Sequence, residues 1–251
     1  MKPATMRLDR LLANLGYGSR REVQSLVADG RVALDGQALD NSDARLPVAA
    51  DLPARLSVGG EPLDPPPGYL TLMLHKPLGF VCSHKEGGRL VYELFPPRWR
   101  RRDPPLSSVG RLDKDTSGLL LFTDDGDFLH RVISPRRRLP KVYRASLARP
   151  LAGSEAALFA SGTLLLEGES KPLQPAGLEL LSSQDVRLTI TEGRYHQVRR
   201  MFAAIGNHVV SLHRERVGNL DLPEDLRPGG WRLLGQPELG AVGEPRVGAE
   251  G

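Results

Sequence analysis

From Gly110 to Asp124 the chain reads GRLDKDTSGLLLFTD, a stretch in which carboxylates, an arginine, hydroxyls and an apolar run fall together. Three uses of these residues compete. Asp113, Asp115, Ser117, Gly118 and Asp124 occupy the first, third, fifth, sixth and twelfth positions of a calcium loop. Against that use, the last position holds Asp where a bidentate Glu is usual, Pro104-Pro105 bars an entering helix, and Leu119 to Phe122 reads as a strand. A second use is structural, a polar turn feeding a core strand. The third is catalytic: a carboxylate beside Arg111 can act as nucleophile or general base if a cation keeps it ionised in a dry pocket. Spacing leaves the last two open. Cys82 with His75 and His84 lacks the spacing of a zinc site, so no metal is expected.

The cations point to a polyanionic partner. Over 251 residues, 34 Lys and Arg face 30 Asp and Glu, and residues 65–232 hold 25 of the basic and 18 of the acidic side chains, so the excess sits in the middle of the chain. Arg98 and Arg100 to Arg102 form one run, and Arg136 to Arg138, Lys141 and Arg144 form a second with no acid between them. Arg194, Arg199, Arg200, Arg214 and Arg216 make a third set. Clustered arginines neutralise phosphates and release counterions, the footprint of a nucleic-acid binder; a solvated, arginine-rich surface would have the same composition. A single cysteine excludes an internal disulfide framework and favours a reducing compartment. No apolar run reaches the roughly 18 residues that cross a bilayer, and the opening MKPATMRLDR lacks the apolar stretch of a signal peptide. A cytoplasmic protein without a membrane partner is expected.

These residues must be positioned by two domains. Leu8, Leu11, Leu12 and Leu15 have helical spacing, Gly16-Tyr17-Gly18 breaks the helix, and Ser19 with Glu22 fits a capping box for a second helix carrying Val23, Leu26 and Val27. Arg31 to Leu34 alternates as a strand before an Asp35-Gly36 turn. Residues 1–62 are therefore read as a small helix-helix-hairpin domain, 63–68 as a Pro-rich linker, 69–236 as the larger domain and 237–251 as a flexible tail. In the larger domain Tyr69 to Ser83 reads as strand, turn and strand, and Val142 to Leu147 and Val186 to Thr191 alternate as half-buried strands. His196 to Ile205 is a helix with Val198, Met201, Phe202 and Ile205 on one face. Strands outnumber helices and do not alternate regularly with them, which gives an α+β class with a mostly antiparallel sheet.

Two resemblances assign roles to this framework. RLDRLLANLGYGSRREVQSLVADGRVALDG resembles the αL-type RNA-binding domain of a small-subunit ribosomal protein and of tyrosyl-tRNA synthetases, which implies that Arg20 and Arg21 meet RNA phosphates. Gly110 to Leu119 carries the signature of the pseudouridine synthases. His75 to Ser83, Lys141-Val142-Tyr143 and Glu192 to Phe202 are similar to three further motifs of that family, with His75 where Asn is common. Tyr195-His196-Gln197 and the sequence from Ala203 to Arg216 resemble the branch acting on small-subunit ribosomal RNA; the large-subunit branches more often have Asn-Arg-Gln or Asn-Arg-Glu there. The resemblance runs from about residue 6 to 235. It implies a cofactor-free pseudouridine synthase fold acting on ribosomal RNA or a small-subunit assembly particle, as a monomer. Asp113 is implied as the essential carboxylate, with Asp115 off the matching position, and Tyr143 as the ring that stacks on the target base. Arg111 would hold the flipped-out state, and Lys76, Arg194 and His196 would support RNA or the fold. Helix geometry separates two arginines: Arg199 lies about 100° and Arg200 about 200° from Val198. Arg199 thus borders the core as the expected partner of Asp113, in agreement with the family motif, and Arg200 faces solvent or phosphate. The rival readings are a large-subunit target and a non-catalytic ribosome-assembly factor.

Overall fold

The computed structural model describes residues 4–83 and 85–243. The chain divides into two compact units. One is built from residues up to Leu72 with Tyr92–Val109 and Phe122–Leu129, the other from Met73–Val91, Gly110–Leu121 and the chain from His130 onward.

In the first unit the expected helices form at Leu8–Asn14 and Arg20–Ala28. Their leucine and valine faces are buried together. The capping box closes in both directions, with the Glu22 amide donating to Ser19 Oγ at 3.3 Å and the Ser19 amide donating to Glu22 Oε2 at 2.6 Å. Asp35 and Gly36 both take positive φ, +50° and +79°, the turn that matches the twist of the hairpin Val32–Leu34 and Gln37–Ala38. Val32–Leu34 also pairs antiparallel with Leu56–Val58.

The Pro-rich segment read as a linker is anchored. Asp64 is buried and accepts two bonds from Arg98, at 2.6 and 2.8 Å, and one from Trp99 Nε1 at 2.9 Å. One residue on, the Pro65 carbonyl accepts from Arg102 Nη2 at 2.7 Å, and the same nitrogen pairs with the Asp124 carboxylate at 2.6 Å. Both side chains of that pair are buried. The arginine run of residues 98–102 is therefore spent partly on the fold.

A mixed sheet, most of whose residues belong to the second unit, organises the larger part of the chain. Its order is Gly177–Leu180, Asp185–Ile190, Lys141–Leu147, Val209–Val217, Ser117–Thr123, Thr71–Lys76 and Trp231–Leu233. Lys141–Leu147 pairs antiparallel with both neighbours, whereas Ser117–Thr123 pairs parallel with Val209–Val217. The helix Gln197–Ala204 buries Val198, Met201 and Phe202, and Phe202 meets Phe159 of the helix Glu155–Ser161 edge to face. The class is α+β, as expected. Because residues 117–123 are strand, the twelve-residue calcium geometry does not form. Of the expected tail, residues to 243 belong to a helix, Gln236–Gly243. Val242 is fully buried, and the Asn219 amide donates to the Ala241 carbonyl at 2.9 Å. That helix lacks apolar periodicity, and its docking is tertiary. The remainder of the tail and His84 lie outside the described residues. Among the described residues no helix is long and apolar enough to cross a membrane.

Removing one member of a buried ion pair leaves the other uncompensated. Arg102→Met is expected to lower unfolding stability by about 3–5 kcal/mol, read from urea denaturation; a loss below about 1 kcal/mol would mean that Asp124 does not need its guanidinium.

Candidate active site

The loop that carries Asp113 is held through its backbone. Lys76 ends the strand Thr71–Lys76 and is completely buried. Its ammonium donates to the carbonyls of Asp113 at 3.0 Å, Thr116 at 2.9 Å, Pro77 at 3.1 Å and Lys114 at 3.5 Å. The Gly79 amide reaches the Lys114 carbonyl at 2.9 Å, from a left-handed turn (φ +83°) that glycine tolerates. Arg199 Nη2 donates to the Asp115 carbonyl at 2.8 Å, and its Nη1 to the Val209 carbonyl at 3.0 Å. The four successive carbonyls of residues 113–116 are thus tied to Lys76 and Arg199. One residue earlier, the Cys82 thiol donates to the Leu112 carbonyl at 3.3 Å and accepts from the Leu112 amide at 3.5 Å. Burial pushes the Cys82 thiol up, keeping it protonated as that donor. Burial draws the Lys76 ammonium below its ordinary value, against the pull of the acidic groups of Cys82, Asp113 and Asp115.

With its backbone fixed, the Asp113 side chain remains one-third exposed (34%). Among the described residues, the basic group beside its carboxylate is His196, with Nε2 3.5 Å from Oδ1. His196 sits at the start of the helix Gln197–Ala204 with φ +47°, a left-handed conformation in which His is enriched among non-glycine residues. The expected ion pair between Asp113 and Arg199 is not formed. Both terminal nitrogens of Arg199 are taken by carbonyls, so it positions the loop instead of neutralising the acid.

Beyond the loop, Gly118 pairs with Arg214 across the parallel strands, at φ +110°. A Cβ there would collide with the Arg214 backbone, so only glycine lets the two strands approach. Arg214 is buried, and its Nε donates to the Leu119 carbonyl at 2.8 Å while Nη1 lies 3.4 Å from the Tyr143 hydroxyl. Tyr143 faces it from the antiparallel neighbour, Lys141–Leu147, and is itself buried. Lys141 lies two residues before Tyr143 on the same strand face and donates to the Leu139 carbonyl at 3.0 Å.

Of the residues expected to support RNA or the fold, Lys76 and Arg194 are engaged by the fold. Lys76 is buried and cannot reach RNA. Arg194 is bound to Glu192 and Glu169 and to the carbonyls of Lys171 and Pro172. Arg200, expected to face solvent or phosphate, is bound to Glu169 at 2.9 Å and to the carbonyls of Glu167 and Tyr195. Sequence could not reveal most of these bonds because Glu169 lies 25 residues from Arg194 and 31 from Arg200, and the other acceptors apart from Glu192 are main-chain carbonyls. Arg111 is exposed (65%), within 3.7 Å of Glu86. Arg20 and Arg21 are exposed at the first turn of their helix. Sequence reasoning missed Arg214 as a site residue. Its signal was its position two residues from Leu212 on the inward face of an alternating strand.

Burial, and secondarily the Arg214 guanidinium, lowers the Lys141 pKa from 10.5 to about 8. The folded chain therefore binds this proton less tightly than the unfolded one. Lys141 then costs stability below about pH 8, and the cost fades as the pH rises toward 10.5. Urea midpoints taken from pH 7 to 10 are expected to show the wild type gaining on Lys141→Met across that window; a difference independent of pH would contradict the assignment.

The sequence of this site has close counterparts. The family model described as RNA pseudouridylate synthase matches residues 70–204, and that of the S4 domain matches residues 6–48. A protein of Yersinia pestis described as ribosomal small subunit pseudouridine synthase A is 41% identical, over 96% of this chain and 100% of its own length. Its namesake in Escherichia coli (strain K12) is 42% identical, over 94% of this chain and 100% of its own. A crystal structure of a pseudouridylate synthase superposes with a TM-score of 0.66 at 37% identity, covering 94% of this chain and 99% of that one. The Asp113 loop, the Lys-Pro turn beneath it and the arginine that grips it all fall inside the matched segment, and the chain belongs to the RNA pseudouridylate synthase family.

Proposed function

We propose that this pseudouridine synthase isomerises a specific uridine of small-subunit ribosomal RNA in the cytoplasm, with Asp113 as the essential carboxylate. The observation that carries the reading is a carboxylate left open to solvent on a loop whose own carbonyls absorb the surrounding cations. The choice of RNA rests on relatives described as acting on the ribosomal small subunit. In this reading residues 1–62 grip the RNA and 69–236 carry the reaction, on free RNA or an assembly particle.

The reaction breaks the N-glycosidic bond of uridine, turns the uracil while it is held, and rejoins a ring carbon to the sugar. No electrons and no external group are exchanged, so the work of the site is holding, orienting and excluding water. Taking a base out of its stack costs a few kcal/mol. Tyr143, its hydroxyl beside Arg214, offers an aromatic wall that offsets part of that cost. Asp113 acts on the sugar or base, and His196 faces the same space. Arg199 is a positioning residue that acts through the Asp115 carbonyl. Arg111, exposed beside the loop, contacts phosphate. Arg20 and Arg21 stand at a helix N-terminus whose dipole also favours anions.

Asp113→Asn is expected to abolish pseudouridine formation while RNA binding persists. Carbodiimide mapping of both ribosomal RNAs in a deletion strain complemented with either form reads the result. Modification surviving in the variant would leave only an assembly factor, and loss of a site in the large-subunit RNA alone would overturn the substrate. For the first unit, replacing Arg20 and Arg21 together by Ala should flatten the slope of log affinity against log salt by about 2, as two lost phosphate contacts require. An unchanged slope would remove both arginines from the RNA surface.

A further inference from the structure

Tyr195 is 72% exposed, the most of any large apolar side chain among the described residues. A ring left in water on a disordered tip would mean little, but this one is held still. One face lies on the His196 ring, with centroids 3.9 Å apart and planes 16° from parallel. The backbone beneath is closed by the Arg194 amide donating to Gln197 Oε1 at 2.9 Å and by buried Gln197 donating to Glu192 at 3.1 Å. Arg200 donates to the Tyr195 carbonyl at 3.3 Å while bound to Glu169, and Arg194 is bound to the same glutamate. Arg194 and Arg200 thus brace the backbone that carries the Tyr195–His196 pair. Through His196 the pair stands beside Asp113.

From this arrangement we infer that Tyr195 is an outer stacking platform, which receives the unpaired base next to the uridine held at Asp113. The inference rests on the proposed function and extends it to a residue that positions substrate. Three physical points carry it. A rigid aromatic ring loses little entropy when a base lands on it, and every base has a face to offer. The ring reaches Asp113 only through the His196 side chain, so it serves a neighbouring nucleotide and not the target itself. Exposed Arg111, on the Asp113 loop, supplies a cation for the backbone, the combination that single-stranded RNA grooves use.

The test is a coupling measurement. Single-stranded RNA oligonucleotides with one central uridine, intact or abasic at each flanking position, are titrated by fluorescence anisotropy against wild type, Tyr195→Ala, Tyr195→Phe and Tyr195→Trp. The wild type is expected to lose roughly tenfold or more in affinity when one particular flanking base is removed. Tyr195→Ala should bind the intact RNA correspondingly less well and ignore that deletion, while the Phe and Trp variants behave as wild type. On a small-subunit ribosomal RNA transcript the loss in Tyr195→Ala should fall mainly on KM and not on kcat. If wild type and Tyr195→Ala respond alike to every abasic position, or if the loss falls on kcat alone, the platform does not exist. Binding needs no turnover, so repeating the titration in Asp113→Asn keeps this result separate from the fate of the catalytic reading.

Discussion

A buried ammonium that binds backbone carbonyls instead of a carboxylate sets up everything else at this site. Lys76 is sealed from water, and its charge must be met by something. Had Asp113 met it with its side chain, the acid would be consumed in a structural ion pair. The charge is met instead by the carbonyls of Asp113, Thr116, Pro77 and Lys114, and Arg199 takes that of Asp115. The loop is fixed in the low-dielectric interior where such bonds are strong, and the Asp113 carboxylate is left unspent.

The same logic shapes the sheet behind the loop. Gly118 lets the strand leaving the loop lie against Arg214, which in turn reaches Tyr143 from the other side. Two strands far apart in sequence thus deliver an aromatic ring and a guanidinium to one place, and the absence of a Cβ at Gly118 lets the strand leaving the loop lie close against the one that carries the guanidinium. Cys82, the chain's only cysteine, is a buried thiol that pins Leu112.

Net charge overstates how many arginines can meet RNA. Arg98 and Arg102 hold the segment after residue 62, and Arg194 and Arg200 hold the loop beneath Tyr195. Arg20, Arg21 and Arg111 remain at the surface. A guanidinium has five donors in a fixed fork, and carbonyls and carboxylates inside the protein compete for it as well as phosphates do.

Local patterns were legible in the sequence wherever the physics was local. The capping box at Ser19 and Glu22, the Asp-Gly hairpin, the apolar face from Val198 to Phe202 and the alternating strands all follow from bonds and burial within a few residues. The ordered motifs likewise pointed to the family and singled out Asp113. Tertiary structure alone decided which group each cation would serve. Lys76 turned inward, Arg199 chose carbonyls over the carboxylate, Arg200 found Glu169, and a helix formed at 236–243 on the burial of Val242. Those choices are made among partners brought close only by folding. In a medium of low dielectric they depend on ångströms of distance, which spacing along a chain does not encode.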